Sequence, residues 1–463
     1  MVNQLKITAK YNHSDQLYCF IFTLLLFGAC TVKSNSSTDV RQKPAKELKA
    51  IHTSDNPSTE QQLLQMLDKK DFFRLETLLH EKRSELPLYI ALYIDANLQN
   101  AFNQTEQSLK TIDKLLGNYG KSLNDTLLYR VFMVKYDNLY KQNRYSKAAE
   151  ALKIAIDKYG HAAEDSVEVA KLREEDYNSL MWLKKIPPQK MHITEDVTIP
   201  ASLNEFNHII VGVSNGGQSE NFVFDTGASM NSVSESSAKL LGIRILEINA
   251  TAKGVANKAV PFKFGIADTL WIGSVMFENV KFMVFPDESL SFPEANNYVI
   301  HGIIGFPIIN QMKEVVIRKN KSITVVAHPK KCNLHNMFLN GTRQIVQLEA
   351  NGDTALFFMD TGSIVSRFSG NYFAADSTEI RNKGTRNTMR RGSVDGFINW
   401  DVYDLKNVPL KIGGKELTVP TIAVLTTILP HFENYDGQLG QDVLMHFDTL
   451  ILNYEDMCLS FDN

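Results

Sequence analysis

A chain of 463 residues with 44% hydrophobic content has room for about two or three domains with packed cores. Its formal charge of -3 and pI near 6.4 leave no basic surplus for a phosphate backbone, so nucleic acid is not an expected partner. The four cysteines fall outside zinc-type spacing, the eleven histidines form no HExxH pair, and no GxxxxGK or GxGxxG loop is present, so neither a metal nor a cofactor is expected.

At the amino terminus Lys6 and Lys10 precede an apolar run from Leu17 to Ala29, too short to span a bilayer comfortably but suited to the core of a signal peptide. The run ends Gly28-Ala29-Cys30, which resembles the cleavage and lipidation site of bacterial lipoproteins. That resemblance implies a lipid anchor at Cys30, with simple cleavage or an uncleaved anchor as alternatives, and an extracytoplasmic, membrane-anchored protein on the periplasmic or cell-surface side. Residues 31–58 are polar and read as a flexible tether. If Cys30 is modified and Cys19 removed with the leader, Cys332 and Cys458 remain as one possible disulfide in an oxidising compartment.

Residues 59–186 carry apolar residues at helical spacing, as in Leu63, Leu64, Met66 and Leu67. Tyr119-Gly120 recurs as Tyr159-Gly160, a period of 40 residues that suits helical hairpins. The segment from Tyr145 to Leu152 resembles the second helix of a tetratricopeptide-like repeat, with small alanines where helices would approach. The module is then either a surface for a protein partner or a helical spacer. Pro187-Pro188 stops the helical pattern, since consecutive prolines cannot continue it.

From residue 191 the pattern changes to short alternating strands such as Ile209-Ile-Val-Gly-Val213, separated by Gly, Asn and Asp. Laid on itself, this region repeats. Phe224-Asp225-Thr226-Gly227 matches Met359-Asp360-Thr361-Gly362 at an offset of 135, and Gly302-Ile-Ile-Gly305 matches Gly437-Gln-Leu-Gly440 at the same offset. Val315-Val-Ile317 continues the register onto Leu450-Ile-Leu452. Between the motifs Trp271-Ile-Gly-Ser274 aligns with Lys411-Ile-Gly-Gly414 at an offset of 140, so the intervening hairpins differ in length.

An apolar strand entering Asp-Thr-Gly, followed later by an apolar-apolar-Gly strand, and both present twice, resembles the retropepsin-like and pepsin-like aspartic peptidases in their fused, two-lobed form. The resemblance covers residues 191–463. It implies a multi-domain architecture: an N-terminal all-α helical hairpin repeat, then a first lobe at 191–330 and a second at 331–463, both all-β acid-protease lobes related by a pseudo-twofold axis. It implies that Asp225 and Asp360 activate a water to hydrolyse peptide bonds in a protein or peptide substrate. Two carboxylates held about 3 Å apart cannot both ionise, so the pair offers an acid and a base together.

The resemblance further implies support from Thr226, Gly227, Ala228, Thr361, Gly362 and Ser363. The threonines would lock the two loops together, a hydroxyl at Ser363 would favour an ionised carboxylate, and Gly305 and Gly440 would let a strand pass beneath each loop. It also implies hairpin flaps over the cleft, assigned to residues 251–258, with Gly254 and Val255, and to residues 387–395, with Arg391 and Gly392. The alternative reading is a catalytically inactive peptide- or protein-binding lipoprotein that keeps the fold and uses the helical repeats as its interaction module.

Overall fold

The computed structural model describes residues 57–462, apart from 164–166, 255, 257, 320–321 and 430–434, together with the backbone of Cys19–Phe20. The leader, Cys30, nearly all of the tether and Val255 therefore lie outside the described residues.

Among the described residues, seven α-helices precede the β-region: α1 (Thr59–Asp68), α2 (Phe72–Lys82), α3 (Leu88–Ala101), α4 (Thr105–Tyr119), α5 (Asp125–Lys141), α6 (Tyr145–Tyr159) and α7 (Val167–Leu183). Helix α1 begins with a capping box, in which Ser58 Oγ accepts from Gln61 N at 3.2 Å and Ser58 N donates to Gln61 Oε1 at 3.0 Å. The period of 40 residues reappears in three dimensions: α4 and α6 both start and end 40 residues apart, each entered through an asparagine in the left-handed region, Asn103 (φ 59°) and Asn143 (φ 57°). The alanines of α6, Ala148, Ala149, Ala151 and Ala155, are buried and let neighbouring helices pack closely.

The helices bury more than one another. Phe72 of α2 meets Phe338 at 5.0 Å between ring centroids, and Asn103 Nδ2 donates to Tyr454 O at 2.9 Å, both across to the second half of the β-region. On the other side the Tyr140 hydroxyl donates to Met230 Sδ at 3.2 Å, beside the first Asp-Thr-Gly loop.

The β-region forms two large sheets. In one, strands Val197–Leu203, Ile209–Ser214 and Ser219–Phe224 form a meander that is joined to Gly302–Ile304, Ser232–Ser234 and the long hairpins 244–285. In the other, Met337–Asn340, Arg343–Ala350 and Asp353–Met359 lead to Gly437–Leu439, Arg367–Phe368 and the hairpins 385–425. The alternation in Ile209–Ser214 gives inward Ile209, Val211 and Val213, all buried. The offset-140 segments are turns of equivalent hairpins, with Gly273 (φ 60°) and Gly413 (φ 57°) in the left-handed conformation that glycine adopts without strain. The last two strands, Thr449–Asn453 and Cys458–Asp462, extend the first of the two sheets by pairing onto Glu314–Arg318. A disulfide joins Cys332 to Cys458, with Cα atoms 6.3 Å apart.

Candidate active site

Strand Ser219–Phe224 runs into Asp225, and strand Asp353–Met359 runs into Asp360. Each is flanked in parallel by the short strand of the second motif, which pairs Ile304 with Phe224 and Leu439 with Met359. Asp225 N then donates to Ile304 O and Asp360 N to Leu439 O, both at 3.0 Å. Beyond the loops, Phe306 N donates to Ala228 O at 2.9 Å and Gln441 N to Ser363 O at 2.8 Å. Every one of these contacts recurs at the sequence offset of 135.

The close passage expected at Gly305 and Gly440 is present. A Cβ on Gly305 would lie 2.5 Å from Met230 O, and one on Gly440 would lie 2.5 Å from Val365 C. The glycine amides are held from the side by two residues that motif reading missed: Gly305 N donates to Asn231 Oδ1 at 3.0 Å, and Gly440 N donates to Ser366 Oγ at 2.8 Å. Asn231 and Ser366 also lie 135 apart, which was the available signal.

The two acids meet at the centre. Asp225 and Asp360 are both fully buried. A Cβ on Gly227 would lie 2.5 Å from Asp360 Cγ, and one on Gly362 would lie 2.5 Å from Asp225 Cγ, so each loop's glycine lies against the other loop's acid. Thr226 N donates to Thr361 Oγ1 at 3.0 Å, and Thr361 N donates to Thr226 Oγ1 at 2.9 Å. The Thr361 hydroxyl in turn donates to Phe224 O at 3.0 Å.

Burial pushes the Asp225 carboxyl well above the usual range, and the neighbouring Asp360 pushes it further, against a 2.7 Å hydrogen bond from Gly227 N. Burial also raises Asp360, to about 6, while the Arg391 guanidinium opposes the rise. Gln438 Nε2 donates to Asp360 Oδ2. The Ser363 hydroxyl donates to Val365 O at 2.9 Å, whereas its main-chain N–H helps to hold Asp360 down.

Two hairpin tips meet near this centre, with Ala252 and Val394 in one apolar cluster with Ala228 and Met230. Asp395, at the turn between strands Thr385–Ser393 and Gly396–Ile412, accepts from the main-chain N–H groups of Gly254 at 3.1 Å, Ala256 at 3.2 Å and Lys258 at 3.0 Å. The Ser393 hydroxyl donates to the same carboxylate. Gly254, Arg391 and Gly392 are all buried. Arg391 Nη2 approaches Gln438 Oε1 at 3.5 Å, beneath the hairpin and next to Asp360.

A cavity of about 810 Å³ lies between the helices and the β-region, with Tyr136, Arg173 and Asp176 on its helical wall and Gly227, Ser229 and Lys281 opposite. Burial lowers Lys281 to about 7, opposed by Asp176, and burial raises Asp176 to about 6. Lys281 Nζ donates to the Tyr140 hydroxyl at 3.2 Å and so ties α5 to the strand beside the first loop.

Residues 211–308 match the family model described as Aspartyl protease, a span that contains Asp225 and Gly305. That segment is similar to the aspartyl-protease family. Among solved structures, the basic 7S globulin from soybean is similar at 9% identity, over 58% of this chain and 95% of that one, with a TM-score of 0.36. No curated protein matches the chain.

Proposed function

We propose that the chain is an aspartic endopeptidase in which Asp225 and Asp360 share one proton. The observation that carries this reading is the meeting of the two buried carboxyls, each against the other loop's glycine. Asp360, which accepts from Gln438 Nε2 and lies near the Arg391 guanidinium, is read as the carboxylate, and Asp225 as the holder of the shared proton. Asp360 takes a proton from water as its oxygen bonds to the peptide carbon, and Asp225 gives its proton to the carbonyl oxygen. Collapse of the tetrahedral adduct returns the Asp225 proton and passes the Asp360 proton to the departing amine nitrogen, which breaks the C–N bond and restores the starting state. Gly227 and Gly362 allow the close approach, and the threonines fix the loops.

We read the two halves as lobes at 191–330 and 331–463 related by a pseudo-twofold axis, a reading supported by contacts that repeat at one offset. Residues 59–186 form the helical module. Its place in the cell is read as extracytoplasmic and anchored through Cys30, and the Cys332–Cys458 disulfide suits an oxidising compartment. The full burial of both acids favours a second reading, a peptide-binding protein without turnover.

The experiment is cleavage of a protein mixture from acidic to neutral pH by wild type, Asp225→Asn and Asp360→Asn. Turnover by wild type and its loss in both variants is expected; a silent wild type, or a variant that retains activity, would overturn the peptidase reading.

A further inference from the structure

The helical module touches the β-region along two rims and leaves a gap between them. At one rim Lys70 Nζ donates to Asn340 Oδ1 at 2.8 Å, and Phe72 packs on Phe338. At the other the Tyr140 hydroxyl meets Met230 Sδ and Lys281 Nζ. The first rim lies on the second half of the β-region, and the other lies on the first half. The cavity of about 810 Å³ occupies the space between, and both halves supply its β-wall: Gly227, Ser229 and Lys281 from one, Leu339 to Arg343 from the other.

Helix α5 spans this gap. Tyr129, Met133, Tyr136 and Tyr140 follow one another at spacings of four, three and four residues, which sets them on one face of the helix, and all four line the cavity. Arg130, beside the first of them, pairs with Asp68 at 3.1 Å near the first rim, and Tyr140 stands at the second. At a rise of 1.5 Å per residue the stripe runs about 16 Å from rim to rim. An extended chain covers that distance in about five residues.

The gap has the walls of a ligand site. Asn97, Asp137, Asp176 and Lys281 all face it, and a space with polar walls holds water or a ligand, whereas a dry void is apolar. Its volume falls in the range of ligand pockets. The inner end points to the ligand. Gly227 belongs to the wall, its N–H donates to Asp225 Oδ1 at 2.7 Å, and it lies directly against Asp360. Whatever fills the cavity runs up to the loop that carries Asp225.

We infer that the α5 face is the outer wall of a substrate channel, occupied by an extended polypeptide segment of about five residues on one side of the scissile bond. The helical module is then part of the peptidase cleft rather than a spacer. Tyrosines and a methionine give broad contact that adapts to many side chains, so the channel selects an unfolded stretch and not one sequence. This inference rests on the aspartic-peptidase reading and names the substrate class of that site: unfolded chain segments.

The test uses the full chain and peptides nested about one cut, located by sequencing the products of an unfolded protein. A short peptide ends close to the bond on both sides, and two longer ones add about five residues toward one end or the other. Lengthening toward one end is expected to raise kcat/KM at least about tenfold. Ser179 lines the cavity from α7. Ser179→Cys is folded first and then alkylated with a bulky maleimide, with alkylated wild type as the control, so that obstruction does not depend on folding. Alkylation is expected to remove the length gain while kcat/KM for the short peptide stays within about twofold. Met133→Ala should lower the gain about threefold, since part of one apolar side chain leaves the contact. Structural damage would lower both peptides alike, so the ratio isolates the channel. No gain on either side, a gain that alkylation leaves intact, or a thiol that reacts only after denaturation would overturn the channel while leaving the dyad intact.

If wild type cleaves nothing, the dyad reading fails first. The channel is then judged by fluorescence anisotropy with labelled lysozyme, either native or unfolded by reduction and alkylation. Binding of the unfolded form alone, lost when Ser179→Cys protein is alkylated, supports it; equal binding of the two forms, or binding that alkylation does not change, overturns it.

Discussion

Val316 and Ile451, 135 residues apart, are direct partners in the antiparallel ladder between strands Glu314–Arg318 and Thr449–Asn453. The offset is the one that relates Asp225 to Asp360 and Thr226 to Thr361. Equivalent strands of the two halves thus pair with each other, and equivalent threonines exchange hydrogen bonds above them. The position of the two acids is over-determined: a shared sheet fixes the halves at one level, and a buried polar exchange fixes the loops at another.

The threonine exchange should be measurable as stability. Thr226→Val leaves the buried Thr361 N–H without its acceptor, and Thr361→Val leaves that of Thr226, each at a cost of about 1–3 kcal/mol. Thr361→Val should be the worse of the two, because it also removes the donor to Phe224 O. Urea unfolding of both variants checks the order; equal and negligible losses would mean that the exchange does not hold the loops.

The dyad should make the fold less stable as pH rises. Both carboxyls have raised values when folded, Asp225 well above and Asp360 at about 6 against an ordinary 3.8. The folded protein therefore binds more protons than the unfolded chain. This contribution is complete below the ordinary value and is lost as pH rises through about 6 and beyond. Asp225→Asn removes a group that must take up or keep a proton to be buried, so its melting temperature should exceed that of wild type at pH about 7.5 and match it at about 3.5, below both values. A difference that is the same at both pH values would contradict the burial argument.

Much of the site was legible because a duplication preserves what close backbone contact forbids it to change. Gly305 and Gly440 cannot carry a Cβ, and Asp225 and Asp360 bring their Thr-Gly partners with them, so one offset exposed all of these. Docking of the helices was not legible. Periodicity marks Phe72 as part of a buried stripe, but Phe338, which covers it, is far away in the chain. Arg391 fell within the expected flap, yet its inward direction follows from its strand sharing an inner face with Trp400, which depends on register rather than composition. The terminal hairpin's pairing onto Glu314–Arg318 was hidden for the same reason: matching sequences show that two strands are equivalent, not that they touch.

The junction of the two hairpin tips should depend on one side chain. Asp395 accepts from three main-chain N–H groups of the facing tip, those of Gly254, Ala256 and Lys258, and no other described carboxylate accepts from these amides. These bonds join the tip of the first hairpin to that of the second. Asp395→Ala removes all three acceptances at once, and the amides it releases can bond to water only when the tip lifts. Hydrogen exchange at Gly254, Ala256 and Lys258 should therefore quicken by at least about tenfold, since each charge-assisted bond contributes about 1.5–3 kcal/mol to the closed state. Asp395→Asn keeps one carbonyl oxygen and should fall between the variant and wild type. Exchange at Phe222 and Phe224, in the strand leading to Asp225, serves as the internal reference and should not change. If the tip amides exchange no faster in Asp395→Ala than in wild type, the tips are held by something other than this carboxylate.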